Sequence, residues 1–134
     1  MEPDNLITLL RGADAFAAAP EEALAQLVEA GEIRGISKDE TLLHQGSTGE
    51  SIWLILEGEL DIVVDEKVVN HINREGEVLG EISAISQTPA TATVTSRSEG
   101  SALCIPHQAL HRVIRDEPEF AATMLRSMAK YLGS

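Results

Sequence analysis

The sequence is poor in the features that define several large classes of protein. It holds a single cysteine, Cys104, so no disulfide can form within the chain and a disulfide-built secreted scaffold is excluded. No apolar run approaches the ~20 residues that a membrane-spanning helix needs. Residues 1–4 are acidic and do not resemble the basic start of a signal peptide. We therefore expect a soluble domain of the cytoplasm.

Basic residues are also scarce. The chain carries 10 Lys and Arg against 22 Asp and Glu, which gives a formal net charge of −12 at pH 7. Proteins that bind nucleic acid owe much of their affinity to the neutralisation of phosphates by basic side chains. The opposite charge here argues against nucleic acid and against an anionic lipid surface as partners, and we interpret the acidity as a source of solubility.

The 134 residues fit one domain, 1–134, with three sections. Apolar residues at helical spacing predict N-terminal helices within residues 1–31, the first over 4–12 and the second from Pro20 to Gly31. Short β-rich runs separated by turn residues fill 32–105 and predict a sandwich or barrel. Helical spacing returns over 106–134. The predicted strands are 32–37, 41–44, 51–57, 60–64, 67–72, 92–96 and 102–105.

Apolar patterning also predicts which elements are buried. Residues 52–56 are nearly all apolar, so this strand should be covered on both faces, whereas the alternation in 60–64 indicates one wet face. After Pro106, one helical stripe comprises Leu110, Val113 and Ile114. A second follows Pro118, and we expect it to pack against the barrel or a partner subunit; it comprises Phe120, Met124, Leu125, Met128 and Leu132.

The most informative stretch is Gly80-Glu81-Ile82-Ser83. Gly80 permits a sharp turn, and a short helical turn after it would present free N–H groups to an anion. Ser83, and Thr91 further along, could add hydroxyl donors, while the Glu81 carboxylate could accept from a sugar hydroxyl. These residues suggest a phosphate cradle, although an ordinary loop between strands explains the same pattern.

Taken together, the motifs resemble the cyclic nucleotide-binding domain of protein kinase A regulatory subunits, the catabolite activator protein and gated ion channels. The resemblance implies an eight-stranded jelly roll, a double-stranded β-helix, flanked by N-terminal and C-terminal helices. It covers nearly the whole chain. The residues that carry it are Phe16, Pro20, Gly46, the run 52–60, Gly76, the run 80–83 and Ala92-Thr93-Val94.

The resemblance also implies a ligand, cAMP or cGMP, and a set of contacts. In the family, the glutamate at the position of Glu81 holds the ribose 2′-hydroxyl, and the backbone around Ile82 and Ser83 meets the cyclic phosphate. An arginine following this turn pairs with the phosphate. The residues expected to bind ligand are therefore Gly80, Glu81, Ile82, Ser83, Ala90, Thr91 and Ala92.

The chain departs from the family at the arginine, because Ala90 stands in its place. Arg74 and Arg97 are the nearest cations in sequence; Arg97 lies at the far end of its strand, and Arg74 is a weak substitute. A hydrogen bond to a charged group contributes ~1.5–3 kcal/mol, so its loss weakens binding roughly 10- to 150-fold. We therefore expect weak binding of cyclic nucleotides. The family's threonine at the position of Thr91 favours cGMP, but without the arginine it gives no firm preference.

Other chemistry finds little support. His107 and His111 lie four residues apart on a predicted helix and could face one metal, but no nearby ligand completes a set. We find no Ser/His/Asp arrangement, and Cys104, within the apolar run 102–105, is expected to be buried. We therefore expect neither catalytic residues, nor a metal, nor a cofactor.

Two functions stay open. The first is a regulatory domain that senses a small anionic ligand and repositions its C-terminal helices. The alternative is a ligand-free interaction module that has kept the fold and lost the site, and that forms a homodimer or binds an effector protein through the C-terminal helices. A barrel enzyme is a distant third. The sequence leaves open whether the chain is a whole protein or part of a longer one.

Overall fold

The computed structural model describes residues 2–132, without the side chains at positions 82, 127, 128 and 130–132. Helices α1 (Pro3–Arg11) and α2 (Glu21–Ala30) flank a 3-10 turn (Asp14–Phe16) and precede the strands. The strands are β1 (Glu32–Ile36), β2 (Thr41–Leu43), β3 (Ser51–Glu57), β4 (Leu60–Val64), β5 (Lys67–Ile72), β6 (Val78–Leu79), β7 (Thr93–Ser96) and β8 (Gly100–Pro106). Helix α3 (Glu81–Ser86) lies between β6 and β7, and α4 (His107–Asp116) and α5 (Pro118–Leu132) follow β8.

The strands form two four-stranded antiparallel sheets, in the orders β1-β8-β3-β6 and β2-β7-β4-β5. Each sheet combines strands from distant parts of the chain, as a jelly roll requires, and helices flank the roll at both ends of the sequence. The predicted fold is therefore confirmed. The two-residue strand β6 was missed because so short a run shows no alternation of apolar and polar residues.

Strand β3 separates two apolar cores. Ile52 and Leu54, both fully buried, pack with the helices, whereas Trp53 and Ile55 face the space between the sheets. The prediction that this strand is covered on both faces is confirmed. Burial along β4 does not alternate sharply, because Leu60 is buried and the next four residues are all half-buried. Leu60 and Ile62 pack in the core between the sheets, whereas Asp61 pairs with the partly exposed side chains of His71 and Arg97. The neighbouring strand β5 is exposed along most of its length.

The C-terminal helices close the helical core. Phe120 of α5 is fully buried and stacks on Phe16, with 6.1 Å between ring centroids, and Met124 is buried beside them. Leu125, assigned to the same stripe, is instead 67% exposed because its position turns it away from the core. The side chains of Met128 and Leu132 lie outside the described residues.

Candidate ligand-binding site

The turn before α3 requires glycine. Gly80 adopts a left-handed conformation, with φ at 83° and ψ at 3°. A Cβ at this position would lie 3.2 Å from the carbonyl oxygen of Ser51 and 3.4 Å from Cδ2 of Leu43. The N–H of Ala84 donates to the carbonyl of Gly80 at 3.0 Å and closes the first turn of α3. The predicted short helical turn is therefore present, packed closely against β3.

A cavity of about 270 Å³, which we call the α3 cavity, opens between α3 and the segment that leads into β7. It brings together six of the seven residues that the sequence predicted to bind ligand; the side chain of the seventh, Ile82, lies outside the described residues. The lining is mainly apolar. It comprises Leu43, Ile62, Val78, Leu79, Gly80, Glu81, Ser83, Thr88, Pro89, Ala90, Thr91, Ala92 and Val94.

The hydroxyl of Ser83 holds the walls of the cavity together. It is buried, lies 3.0 Å from the carbonyl oxygen of Thr48 and makes a shorter contact with the carbonyl of Thr88. A serine hydroxyl has one hydrogen to donate, and here it is directed at these backbone carbonyls. The hydroxyl that the sequence offered as a phosphate donor therefore has a structural use that sequence alone did not reveal.

The other wall is tied to the same loop between β2 and β3. The N–H of Ala90 donates to the carbonyl of Ser47 at 2.8 Å, and the N–H of Gly46 donates to the carbonyl of Ala90 at 2.8 Å. The N–H of Gln45 donates to the hydroxyl of Thr93 at 2.9 Å. Both segments that border the cavity are thus fixed to one loop by hydrogen bonds within the protein.

Glu81 is the one charged side chain among the described residues that line the α3 cavity. Burial raises the pKa of its carboxyl group, and the backbone N–H of the same residue opposes this effect as a hydrogen-bond donor. The negative charges of Glu77 and Asp14 raise the pKa of Glu81 further. The carboxylate therefore lies in partly desolvated, negative surroundings, which do not favour a second anion.

The two arginines nearest in sequence do not replace the missing cation. Nη2 of Arg74 lies 2.8 Å from Oε1 of Glu77, and Arg74 lines a different cavity. Nε of Arg97 lies 3.5 Å from Oδ1 of Asp61, on the outside of the second sheet. Arg74, considered a weak substitute from sequence, therefore does not reach the α3 cavity.

A second cavity of about 410 Å³ lies on the other side of Glu81. Its walls are the end of α1, the 3-10 turn and the turn before β6, so we call it the N-terminal cavity. Glu81 lines both cavities. The sequence did not predict this cavity, because it depends on how the N-terminal helices pack against residues 74–78.

Helix α4 contacts α3 through a histidine. Nε2 of His111 lies 2.8 Å from the carbonyl oxygen of Ala84, so this histidine holds α4 against α3. Burial lowers the pKa of His107, and its neighbour His111 lowers it further. No group of three or more potential metal ligands occurs among the described side chains. Cys104 is half-buried rather than buried as predicted.

Helix α5 lies away from the α3 cavity. It packs on α4 and the 3-10 turn, and none of its described residues lines the cavity. The described part of helix α5 therefore does not cover the α3 cavity. No helix in the described part of the chain has the length and apolar content to cross a bilayer.

Comparison with known proteins identifies the class. The family model of the cyclic nucleotide-binding domain matches residues 33–117, which cover the roll, α3 and α4. The chain therefore belongs to the cyclic nucleotide-binding domain family. It is 38% identical over 85 residues to a cGMP-dependent protein kinase of Eimeria tenella, and this match covers 63% of the chain and 8% of the kinase. The chain spans only 8 to 29% of the lengths of the first three curated relatives that it matches.

Solved structures agree on the fold. The N-terminal domain of a transcriptional regulator from Streptomyces coelicolor superposes with a TM-score of 0.78 at 28% identity, covering 92% of this chain and 89% of that one. The regulatory subunit of a cAMP-independent protein kinase A from Trypanosoma cruzi, bound to guanosine, gives a TM-score of 0.74 at 20% identity. It covers 82% of this chain and 39% of that one, and at this identity it supports the fold alone.

Proposed function

We propose that this chain is a non-catalytic regulatory domain of the cytoplasm that senses a small ribose-containing ligand, cAMP, cGMP or a relative, in the α3 cavity. The observation that carries the proposal is the presence of six predicted ligand residues around one cavity. The Eimeria tenella relative is a cGMP-dependent protein kinase, and this supports a ligand of this kind.

A route for the signal runs from α3 to the C-terminal helices. Ligand at Glu81 would contact the first turn of α3, and the contact of His111 with Ala84 would pass a displacement of α3 to α4. Helix α5 begins two residues after α4 ends and is held in its present place by the Phe16–Phe120 stack. A ligand that binds better when α5 leaves this place would shift the population toward the moved state.

The experiment restores the missing cation and follows the helices. In Ala90→Arg, binding of cAMP or cGMP should strengthen by roughly 10- to 150-fold, the value of one hydrogen bond to a charged group. Saturating cyclic nucleotide should then change amide hydrogen exchange in α4 and α5. The matched control adds Glu81→Ala to the same variant and should lose binding.

Two results count against the proposal. No gain in affinity in Ala90→Arg would show that these residues do not form the ligand site. If ligand protects the amides of residues 80–92 but leaves exchange in α4 and α5 unchanged, the ligand binds without moving the C-terminal helices.

The alternative is a ligand-free interaction module. It is favoured by Ala90 and by the exposed Leu125 on α5, an apolar side chain available to an effector or a second copy. Light scattering coupled to size exclusion distinguishes the two, because a dimer that dissociates in Leu125→Lys supports the module. A strict monomer that binds no partner contradicts it.

A further inference from the structure

We propose that the α3 cavity selects an uncharged ribonucleoside over the corresponding cyclic nucleotide. The inference rests on the proposed function, because it takes a ribose-containing ligand from it and specifies the charge of that ligand.

No cationic side chain in the described part of the lining could neutralise a phosphate. Among its described residues there is no lysine, arginine or histidine, and the single charged side chain is the Glu81 carboxylate. A cyclic phosphate carries a negative charge, and in a partly enclosed cavity its repulsion from a carboxylate is weakly screened. Glu77 and Asp14 add to the negative potential at Glu81. Phosphate is therefore penalised here, whereas a neutral ligand is not.

Two hydrogen-bond donors that could have served a phosphate are used by the fold. The Ser83 hydroxyl is directed at backbone carbonyls, and the N–H of Ala90 donates to Ser47. An anion could use these donors only by breaking bonds that hold the cavity walls together. Arg74 in turn would have to leave Glu77 and cross to another cavity.

The groups that do face the cavity suit a nucleoside. A carboxylate accepts hydrogen bonds from two hydroxyl groups, so Glu81 can hold the vicinal 2′- and 3′-hydroxyls of a ribose. The remaining lining is largely aliphatic, with Leu43, Ile62 and Leu79 available to the faces of a sugar or a base. This combination of one acceptor and apolar surface is how small-molecule sites orient an uncharged ligand.

The test is isothermal titration calorimetry with four probes: adenosine, guanosine, cAMP and cGMP. In the unmodified chain we expect at least one nucleoside to bind at least ~10-fold more tightly than its own cyclic phosphate. In Ala90→Arg the cyclic phosphate should gain roughly 10- to 150-fold while the nucleoside changes little, so the preference narrows or reverses. Ala18→Arg adds the same charge at an exposed residue that does not line the cavity, and it should change neither affinity.

The outcomes separate this inference from the proposed function. A cyclic nucleotide that binds the unmodified chain as tightly as its nucleoside overturns the inference and leaves the sensor intact. Binding of cyclic nucleotide by Ala90→Arg, with no nucleoside bound by either protein, also overturns it and favours a site that has lost its ligand. Failure of all four probes with both proteins refutes the proposed function itself.

Discussion

The close packing at the start of α3 makes a quantitative prediction for Gly80→Ala. A left-handed conformation costs a residue with a Cβ ~1–2 kcal/mol, of which a stiffer unfolded chain returns ~0.4–1 kcal/mol. The new Cβ would also press on the Ser51 carbonyl at 3.2 Å, which belongs to the backbone of β3 and has little room to move. Crowding of this kind in a packed site costs a further ~1–3 kcal/mol.

Gly46 provides the matched control. Its φ is +85°, close to the +83° of Gly80, but a Cβ there would meet nothing within 4 Å. Gly46→Ala should therefore incur the conformational cost alone. The difference between the two variants isolates the crowding at α3, so we expect Gly80→Ala to lose ~1–3 kcal/mol more than Gly46→Ala.

The assay is urea denaturation followed by the fluorescence of Trp53, the single tryptophan, which is buried in β3 opposite Leu79 of β6. Free energies of unfolding are compared by linear extrapolation, provided that the m-values of the variants agree. Equal losses in the two variants would refute the reasoning, because they would show that close approach of β3 is not what requires glycine before α3.

Three further predictions concern the site and the C-terminal helix. Because the pKa of Glu81 is raised above 4.5 in the folded state, folding takes up protons, and the free energy of unfolding falls as pH rises from about 4.5 through the folded pKa. Glu81→Gln should remove this decline and be more stable than the unmodified chain at neutral pH. Urea titrations at several pH values that show no such gain would contradict the prediction. Ser83→Ala removes the hydroxyl that the carbonyls of Thr48 and Thr88 share and should cost ~1–3 kcal/mol in the same assay; an unchanged midpoint would contradict this prediction. Phe120→Ala leaves a cavity beside Phe16 and should lower the free energy of unfolding by ~3–5 kcal/mol. Amide exchange along α5 should become faster, and unchanged exchange would show that other contacts hold the helix.

Local signals in the sequence predicted much of the fold. Pro20 and the acids that follow it mark the start of α2, and Gly31 marks its end, within a residue of the observed bounds. The apolar run in β3 indicated a strand buried on both faces, which the structure confirms. Strand β6 was missed because it has only two residues, and Leu125, which the sequence placed on the apolar stripe of α5, is exposed.

The sequence predicted several residues of the site, but it did not predict their hydrogen-bond partners. The motif, together with the family resemblance, named six of the residues that line the α3 cavity, because the motif is a local property of the sequence. The use of the Ser83 hydroxyl was not predictable, because its partner Thr48 is 35 residues away and is a backbone carbonyl of no particular sequence. Arg74 shows the same limit, because proximity along the chain did not indicate which of two cavities it would line.

The loop between β2 and β3 holds both walls of the α3 cavity, and it does so largely through its own main chain. It presents the carbonyls of Ser47 and Thr48 and the amide of Gly46, none of which depends on the identity of a side chain. These three main-chain groups would therefore stay in place if the side chains of Ser47 and Thr48 changed. The length of the loop matters more, because deleting one residue would displace these groups and break the hydrogen bonds to both walls of the α3 cavity.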